Sequence, residues 1–136
     1  MADEVRLAIA ADVDVVQARQ RGRELASEAG FSNGDQTVIA AAISEIARNI
    51  VNYAKRGEIT LRLITNGDRQ GVIVIAEDHG PGIRDVVQAM EDGYSTSGGL
   101  GLGLPGARRL MDEFEVHSVI GQGTTVTMTK WRRKTS

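Results

Sequence analysis

The sequence predicts an α+β two-layer sandwich, in which a mixed, mostly antiparallel sheet carries its helices on one face. Two observations lead to this fold class. The predicted strands come in adjacent pairs and do not alternate with helices as strict βαβ units. One strand, residues 72–76, is continuously apolar, which is typical of a central, buried strand. At 136 residues the chain is expected to fold as one domain over residues 1–136.

The first half of the chain is predicted to form one strand and two helices. These elements are a strand over residues 5–10, a helix from residue 12 or 14 to residue 29, and a helix from about residue 35 to residue 55. Alternating apolar and polar side chains indicate the strand. Asp12 or Asp14 can cap the first helix, and Gly30 and Gly57 end the two helices.

The second half is predicted to contain four strands and two helices. In order, they are strands over residues 58–65 and 72–76, a short helix over 83–90, a helix over 104–114, and strands over 115–120 and 124–131. Asn66-Gly67 is a strong turn signal between the first two of these strands. Gly121-Gln122-Gly123 joins the last two strands, and by itself this common pattern indicates only a turn.

The composition is ordinary for a soluble globular protein, with 41% hydrophobic and 25% charged residues. A formal net charge of −2 predicts neither nucleic-acid nor membrane affinity. The chain has no cysteine, which excludes disulfides and thiolate metal sites, and its two histidines do not favour a zinc site. Because the N-terminus is acidic and no apolar run reaches the ~18 residues of a membrane span, we expect a cytoplasmic protein.

The segment Gly93–Gly106 is unusually rich in glycine. Eight of the 16 glycines fall between Gly80 and Gly106. Glycine allows peptide N–H groups to turn toward a ligand, and phosphate accepts many such hydrogen bonds. A flexible linker is the alternative, but linkers usually mix glycine with serine, whereas here leucines alternate with glycines and a predicted helix follows. The segment is therefore predicted to bind phosphate groups.

The second predicted helix carries a polar pair at the border of its apolar face. Five residues fall within an arc of about 80° and mark the side that packs on the sheet: Ile39, Ile43, Ile46, Ile50 and Tyr53. Glu45 and Asn49 are four residues apart and stack on one face beside this arc. Asn49 is suited to supply an oxygen ligand to Mg²⁺, and Glu45 to orient or deprotonate a hydroxyl nucleophile. Taken alone, the pair is more typical of a solvated helix border.

Asp78 lies at the end of the apolar strand, just before Gly80 and Gly82. A carboxylate there is costly to bury unless it accepts hydrogen bonds, and the exocyclic amine of a base is one donor. The two glycines would let a planar ring approach the backbone. An Asp-Gly turn explains the same residues without a ligand, and the motif by itself does not separate the two interpretations. Thr124, in the last predicted strand, is a candidate for a hydroxyl in the floor of a pocket.

Two common nucleotide motifs do not fit this chain. The P-loop pattern Gly-x-x-x-x-Gly-Lys-Ser/Thr is absent. Residues 101–106 satisfy Gly-x-Gly-x-x-Gly, but polar and glycine-rich residues precede them where a dinucleotide-binding motif has a strand. The sequence therefore favours neither a P-loop protein nor a Rossmann fold.

Four motifs follow one another along the chain: Glu45-x-x-x-Asn49, Asp78-x-Gly80-x-Gly82, Gly99-Leu100-Gly101-Leu102-Gly103 and Gly121-x-Gly123-Thr124. This set resembles the nucleotide-site boxes of the ATPase/kinase superfamily of gyrase, Hsp90, histidine kinases and MutL (GHKL). The resemblance spans nearly the whole chain and implies the ATP-binding fold called the Bergerat fold, as a single GHKL-type kinase domain. Residues 92–106 and 109–114 are most similar to the RsbT-like switch kinases of the bacterial stressosome. Similarity to the related anti-sigma factors is confined to the four motifs.

The resemblance implies a role for each matching residue. Glu45 would be the general base toward the acceptor hydroxyl, and Asn49 would bind Mg²⁺ beside ATP. The other cofactor-binding residues that it implies are Asp78, Gly80, Gly82, Gly99, Leu100, Gly101, Leu102, Gly103 and Thr124. Within this set, Asp78 would accept a hydrogen bond from the adenine amino group, with Thr124 near the same ring edge. The first two glycines would line the adenine pocket, and the segment 99–103 would close over the phosphates.

The resemblance also implies an activity and its partners. The chain would be an ATP-dependent serine/threonine protein kinase that phosphorylates STAS-domain scaffold proteins. After phosphorylation it would leave the scaffold and bind and activate a PP2C-type phosphatase. One alternative is an anti-sigma factor that sequesters a sigma subunit and phosphorylates its antagonist. A second alternative is a nucleotide site with only a conformational role in docking.

Overall fold

Residues 4–82 and 104–132 are the part of the chain that the computed structural model describes. Their helices and strands, in order, are β1 Glu4–Ile9, α1 Asp12–Glu28, α2 Asn33–Asn49, the π-helical turn Ile50–Ala54, β2 Gly57–Asn66, β3 Arg69–Asp78, α3 Leu104–Leu110, β4 Glu113–Val119 and β5 Gly123–Trp131. The helix predicted over residues 83–90 lies outside the described residues. The elements that are described confirm the predicted α+β sandwich.

The five strands form one sheet in the order β1-β2-β3-β5-β4. All four strand pairings between the described residues are antiparallel. The apolar run 72–76 lies within β3, which pairs with β2 on one side and β5 on the other. Its predicted central position is therefore confirmed, because a strand with neighbours on both edges and helices on one face is shielded from water.

One face of the sheet and the inner sides of the helices form the core. Directly paired residues of neighbouring strands share a face, so the registers place Leu61, Val74 and Met128 on the same side. These residues are buried, together with Ile39 and Ile43 of α2. The predicted apolar face of α2 is thus the face that packs on the sheet. Burial of each such side chain contributes about 1.5–3 kcal/mol relative to leaving it in water.

Local hydrogen bonds explain where α1 begins and ends. The N-cap residue is Ala11 and neither predicted aspartate, but Asp14 in the first turn accepts hydrogen bonds from the N–H groups of Ala10 and Ala11, at 2.9 and 3.0 Å. At the other end Gly30 has a φ of 87°, and the N–H of Phe31 donates to the carbonyl of Ala26 at 3.0 Å. This is the Schellman arrangement, which a glycine in the left-handed region makes possible. The predicted stop at Gly30 is confirmed.

Two helix ends differ from the prediction. The regular α2 ends at Asn49 and continues as a π-helical turn, whereas the sequence predicts a helix to residue 55. The helix α3 ends at Leu110 and not at residue 114, because Asp112 already joins the sheet: its N–H donates to the carbonyl of Thr129 at 2.9 Å. The carboxylate of Asp112 in turn accepts from the N–H of Trp131 at 2.8 Å. Pairing with a distant strand therefore outweighs the local helical pattern.

Candidate nucleotide site at one end of the sheet

The candidate site lies at one end of the sheet, on the face that the helices cover. The strand registers align Gly57, Asp78, Thr124 and Ser118 in one row across β2, β3, β5 and β4. This row follows the buried Ala76 at two-residue spacing, so its side chains point to the same face. The structure thus brings Asp78 and Thr124, which the family resemblance implies as partners of one ligand, into adjacent positions.

The Asp78 carboxylate is half-buried and closes a tight turn with one of its oxygens. Its Oδ1 accepts a hydrogen bond from the N–H of Gly80 at 2.9 Å. Within the residues that the structure describes, its Oδ2 accepts no hydrogen bond. The Asp-Gly turn is therefore present, and it leaves the second carboxylate oxygen as an acceptor for a donor such as an amine.

Gly57 permits a close contact between α2 and the end of β3. A Cβ built on Gly57 would lie 3.0 Å from Cγ2 of Ile50 and 3.1 Å from Cβ of Asp78, and it would collide with the carbonyl oxygen of Glu77. Any side chain here would push the π-helical turn away from the Asp78 carboxylate. The sequence identifies Gly57 only as a helix stop, and its role in the site depends on the register.

The π-helical turn Ile50–Ala54 also contacts the loop that follows Asp78. A Cβ built on Gly80 would lie 2.7 Å from Cβ of Ala54 and 3.2 Å from Oδ1 of Asp78. Lys55, directly after the turn, has a φ of 77° and a ψ of −38°, which non-glycine residues seldom adopt. π-Helical turns and strained residues often occur at functional sites, where the surrounding structure holds them in place.

Glu45 and Asn49 lie on α2 at the predicted border of the apolar face. Both are half-buried, whereas Ile46 beside them is 1% exposed. The Oε1 atom of Glu45 accepts from Nη1 of Arg48 at 3.1 Å, in a largely solvated ion pair that contributes little stability. Asn49 immediately precedes the turn that contacts Gly57. Glu45 lies one helical turn, about 6 Å, further from that end of the helix.

The β4–β5 hairpin packs against the same loop from the other side. The N–H of Gly121 donates to the carbonyl of Pro81 at 2.9 Å. Gly123 has a φ of 131°, and a Cβ there would collide with the carbonyl oxygen of Asp78. The Gly-x-Gly pattern, which by itself predicts only a turn, therefore also allows β5 to approach the end of β3. Gly80 and Gly82 lie in the loop held between these elements, and their predicted contact with a base stays a prediction.

The glycine-rich segment leads into a helix that is anchored at both ends. Gly99, Leu100, Gly101, Leu102 and Gly103 lie outside the described residues, and their phosphate-binding role stays a prediction. Directly after them, Leu104 at the start of α3 is buried in the core. At the other end of α3, Nζ of the buried Lys130 donates to the carbonyl of Leu110 at 3.2 Å and lies 3.7 Å from Oδ1 of Asp112. A cation at a helix C-terminus also interacts favourably with the helix dipole.

Ser118 also lies in the row of the candidate site, although no sequence motif identifies it. Its Oγ lies 2.8 Å from Oγ1 of Thr124 and donates to the carbonyl of Gly123 at 3.2 Å. A serine six residues before a threonine carries no recognisable motif. Only the pairing of β4 with β5, which places Ser118 opposite Thr124, identifies it.

His79 and His117 are both exposed, and residues 4–82 and 104–132 contain no group of three or more histidines, aspartates and glutamates arranged to bind a metal ion. Over the same residues, no helix combines the length and the apolar composition needed to cross a bilayer.

Comparison with known proteins assigns the chain to a family. The family model for the histidine kinase-like ATPase domain matches residues 8–130. The serine/threonine-protein kinase RsbT of Bacillus subtilis is 51% identical over 133 residues, which cover 98% of this chain and 100% of that protein. A Caldanaerobacter subterraneus anti-sigma F factor is 37% identical over 99 residues, 68% of each chain, so the expectation that similarity to anti-sigma factors is confined to the four motifs is wrong. The serine-protein kinase RsbW of Bacillus licheniformis is 34% identical over 119 residues, 79% of this chain and 71% of that one.

A solved structure supports the fold. The crystal structure of the RsbU and RsbW domains of a Mycobacterium tuberculosis protein superposes on this chain with a TM-score of 0.62 and 20% sequence identity. The match covers 96% of this chain and 33% of the solved one. At this level of identity the comparison bears on the fold alone, and it agrees with the five-stranded sheet and its layer of helices.

Proposed function

The chain belongs to the RsbT-like serine/threonine-protein kinases of the histidine kinase-like ATPase domain family, and we propose that it transfers a phosphoryl group from ATP to serine or threonine residues of a partner protein. The observation that carries the proposal is the row of Asp78 and Thr124 at the end of the sheet. Asn49 is the last residue of α2, and Ile50 directly after it lies 3.0 Å from a Cβ built on Gly57 of the same row. This row occurs in a chain that aligns with the full length of a serine/threonine-protein kinase.

The residues of the row fit the adenine ring of ATP. Asp78 retains one carboxylate oxygen as an acceptor, and Thr124 places a second oxygen directly beside it. Paired residues on neighbouring antiparallel strands have Cβ atoms about 4.5–5.5 Å apart, a spacing that lets both side chains reach one amino group. A hydrogen bond to a carboxylate contributes about 1.5–3 kcal/mol, so Asp78 would supply much of the base recognition.

The polar pair on α2 fits the phosphate end of ATP. Mg²⁺ is usually held by one or two protein oxygens together with substrate phosphates and waters, and the Asn49 side chain supplies one such oxygen. Bound Mg-ATP supplies the transferable group and the neutralising charge. Glu45 would accept the proton of the acceptor hydroxyl, since its carboxylate is half-exposed at the same border of the helix. Gly99, Gly101 and Gly103 would donate N–H groups to the phosphates.

We propose that the protein works by exchanging partners in the cytoplasm. Its substrates would be STAS-domain scaffold proteins, and after phosphorylating them it would bind and activate a PP2C-type phosphatase of a sigma-factor stress pathway. The similarity to RsbT, to RsbW and to anti-sigma F factors supports this setting, because these relatives are named as kinases and as sigma-factor regulators.

A second candidate function is that of an anti-sigma factor. The 37% identity to an anti-sigma F factor favours it, and such a protein would sequester a sigma subunit and phosphorylate its antagonist. The kinase proposal is preferred because the match to RsbT is higher in identity and covers 98% of this chain and all of that protein.

The test of the proposed function is a transfer reaction read by mass. The protein is mixed with Mg-ATP and, separately, with each STAS-domain protein encoded near its gene, and the intact mass of the STAS protein is recorded. We expect the mass of the STAS protein to increase by one phosphoryl group. The increase should be absent when ATP is omitted or when Mg²⁺ is chelated. No mass gain on any of these proteins, with ATP binding intact, would contradict the kinase proposal. Retention of a purified sigma subunit by the protein would then favour the second candidate.

A further inference from the structure

The hydroxyl groups of Ser118 and Thr124 form a short chain that ends on a carbonyl. The two hydroxyl oxygens are 2.8 Å apart, and Oγ of Ser118 lies 3.2 Å from the carbonyl oxygen of Gly123. Both side chains are half-buried on the helix-covered face, in the same row as Asp78. The chain of hydroxyls therefore belongs to the wall of the candidate site.

The direction of these hydrogen bonds follows from counting hydrogens. A carbonyl oxygen only accepts, so the hydrogen between Ser118 and Gly123 comes from the serine hydroxyl. That hydroxyl has a single hydrogen, and the second contact is a hydrogen bond only if Thr124 donates to Ser118. In the arrangement that satisfies both contacts, the Thr124 hydroxyl has used its hydrogen and presents lone pairs to the site.

Asp78 and Thr124 then form a pair of neighbouring acceptors. The Asp78 carboxylate accepts only, and its Oδ2 takes no hydrogen bond from the described part of the chain. Two adjacent acceptors match an amino group, which carries two hydrogens, and they repel a carbonyl oxygen. We propose that Ser118 is a positioning residue that fixes Thr124 as a hydrogen-bond acceptor, so that the site selects purine nucleotides with a 6-amino group over those with a 6-oxo group. The inference rests on the proposed function, because it assumes a purine nucleotide in this site.

The measurement that tests this inference is nucleotide binding and not phosphoryl transfer. ATP and inosine triphosphate differ at the 6-amino edge, where inosine carries a carbonyl oxygen and a protonated N1. Dissociation constants of both, with Mg²⁺, are measured by calorimetry on the full chain. We expect the unaltered protein to prefer ATP by about tenfold or more, since unmatched polar groups in a site are costly.

Removing the serine hydroxyl should release the hydrogen of Thr124. In Ser118→Ala the Thr124 hydroxyl is free to rotate and donate to a 6-oxo group, so we expect the preference for ATP to fall by about fivefold or more. Ser118→Thr keeps the hydroxyl and should retain the preference. Thr125→Ala is the matched control, because it removes a hydroxyl from the adjacent residue on the opposite face of β5 and should leave the preference unchanged.

A second pair of variants tests the same role of Ser118 without relying on Ser118→Ala alone. Thr124→Val should lower the preference for ATP by itself. Adding Ser118→Ala to Thr124→Val should then change the preference no further, because Ser118 acts only through Thr124. If Ser118→Ala does not fold, Ser118→Cys serves instead, since a thiol is a weak donor and acceptor of similar size.

The outcomes separate this inference from the proposed function. An unchanged preference in Ser118→Ala, with ATP still bound, would overturn the role of Ser118 and leave the kinase proposal in place. Equal weakening of ATP and inosine triphosphate would show a structural serine and would also overturn it. Failure of the unaltered protein to bind ATP would instead refute the proposed function itself, and the inference with it.

Discussion

Gly57 lies directly opposite Asp78 in the β2–β3 register, and a Cβ on Gly57 would lie 3.1 Å from the Cβ of Asp78. The same Cβ would lie 3.0 Å from Ile50 of the π-helical turn. The absence of a side chain at one residue therefore allows the end of α2, the start of β2 and the end of β3 to meet at the candidate site.

Gly57→Ala should disturb this junction. Because the added methyl group meets backbone and core atoms, we expect the free energy of unfolding to fall by about 1–3 kcal/mol. The folded variant should also bind ATP more weakly than the unaltered protein, because the added methyl group displaces Asp78. Urea unfolding and calorimetry measure the two effects. Gly34→Ala is the control, because a Cβ there meets only Oγ of Ser32, at 3.9 Å, far from the site. Equal effects of the two substitutions would contradict the prediction.

Asp78→Asn should abolish most of the nucleotide affinity. The substitution replaces a charge-assisted hydrogen bond with a neutral one and turns one acceptor into a donor, at a cost of about 1.5–3 kcal/mol in binding free energy. Calorimetric titration with Mg-ATP measures it. Glu77→Gln is the matched control, since Glu77 is the preceding residue of β3 and points to the opposite face. Unchanged ATP affinity in Asp78→Asn would remove Asp78 from the site.

Glu45→Ala should separate binding from transfer. If Glu45 is the general base, ATP still binds while phosphoryl transfer slows by roughly 10²–10⁴-fold. Arg48→Ala is the control, because it removes the other member of the 3.1 Å ion pair and leaves the carboxylate in place. We expect it to change stability by less than about 1 kcal/mol and the transfer rate little. Parallel loss of ATP affinity and rate in Glu45→Ala would identify Glu45 as a structural residue.

Lys55→Gly should stabilise the protein. A non-glycine residue held at a φ of 77° and a ψ of −38° stores about 1–3 kcal/mol of strain, which glycine would relieve. Glycine is also more flexible in the unfolded chain, and this entropy cancels part of the stabilisation. We expect the free energy of unfolding to rise by roughly 0.5–1.5 kcal/mol. Arg56→Gly, at the next residue, has no positive φ to relieve and should destabilise. A loss of stability in both variants would show that Lys55 is not strained.

The sequence by itself determined the features that depend on local patterns. The apolar run in residues 72–76 identified the central strand, because a strand lacks the usual alternation of apolar and polar side chains when it is shielded from water. The 3.6-residue spacing of Ile39, Ile43 and Ile46 identified the buried face of α2 and, with it, the border position of Glu45 and Asn49. Gly30 ended α1 because a left-handed residue is a local requirement of the helix terminus.

Tertiary structure decided which of these residues meet. The row that joins Gly57, Asp78, Thr124 and Ser118 spans two hairpins, β2–β3 and β4–β5, whose registers are set by their turns. The pairing of β3 with β5 brings the two hairpins together, and no local pattern specifies the register of that long-range pairing. The early end of α3 at Leu110 has the same cause, since hydrogen bonds between Asp112 and β5 replace those of another helical turn. Local periodicity determines the face on which a side chain lies, whereas the partner of that side chain is set by long-range pairing and packing.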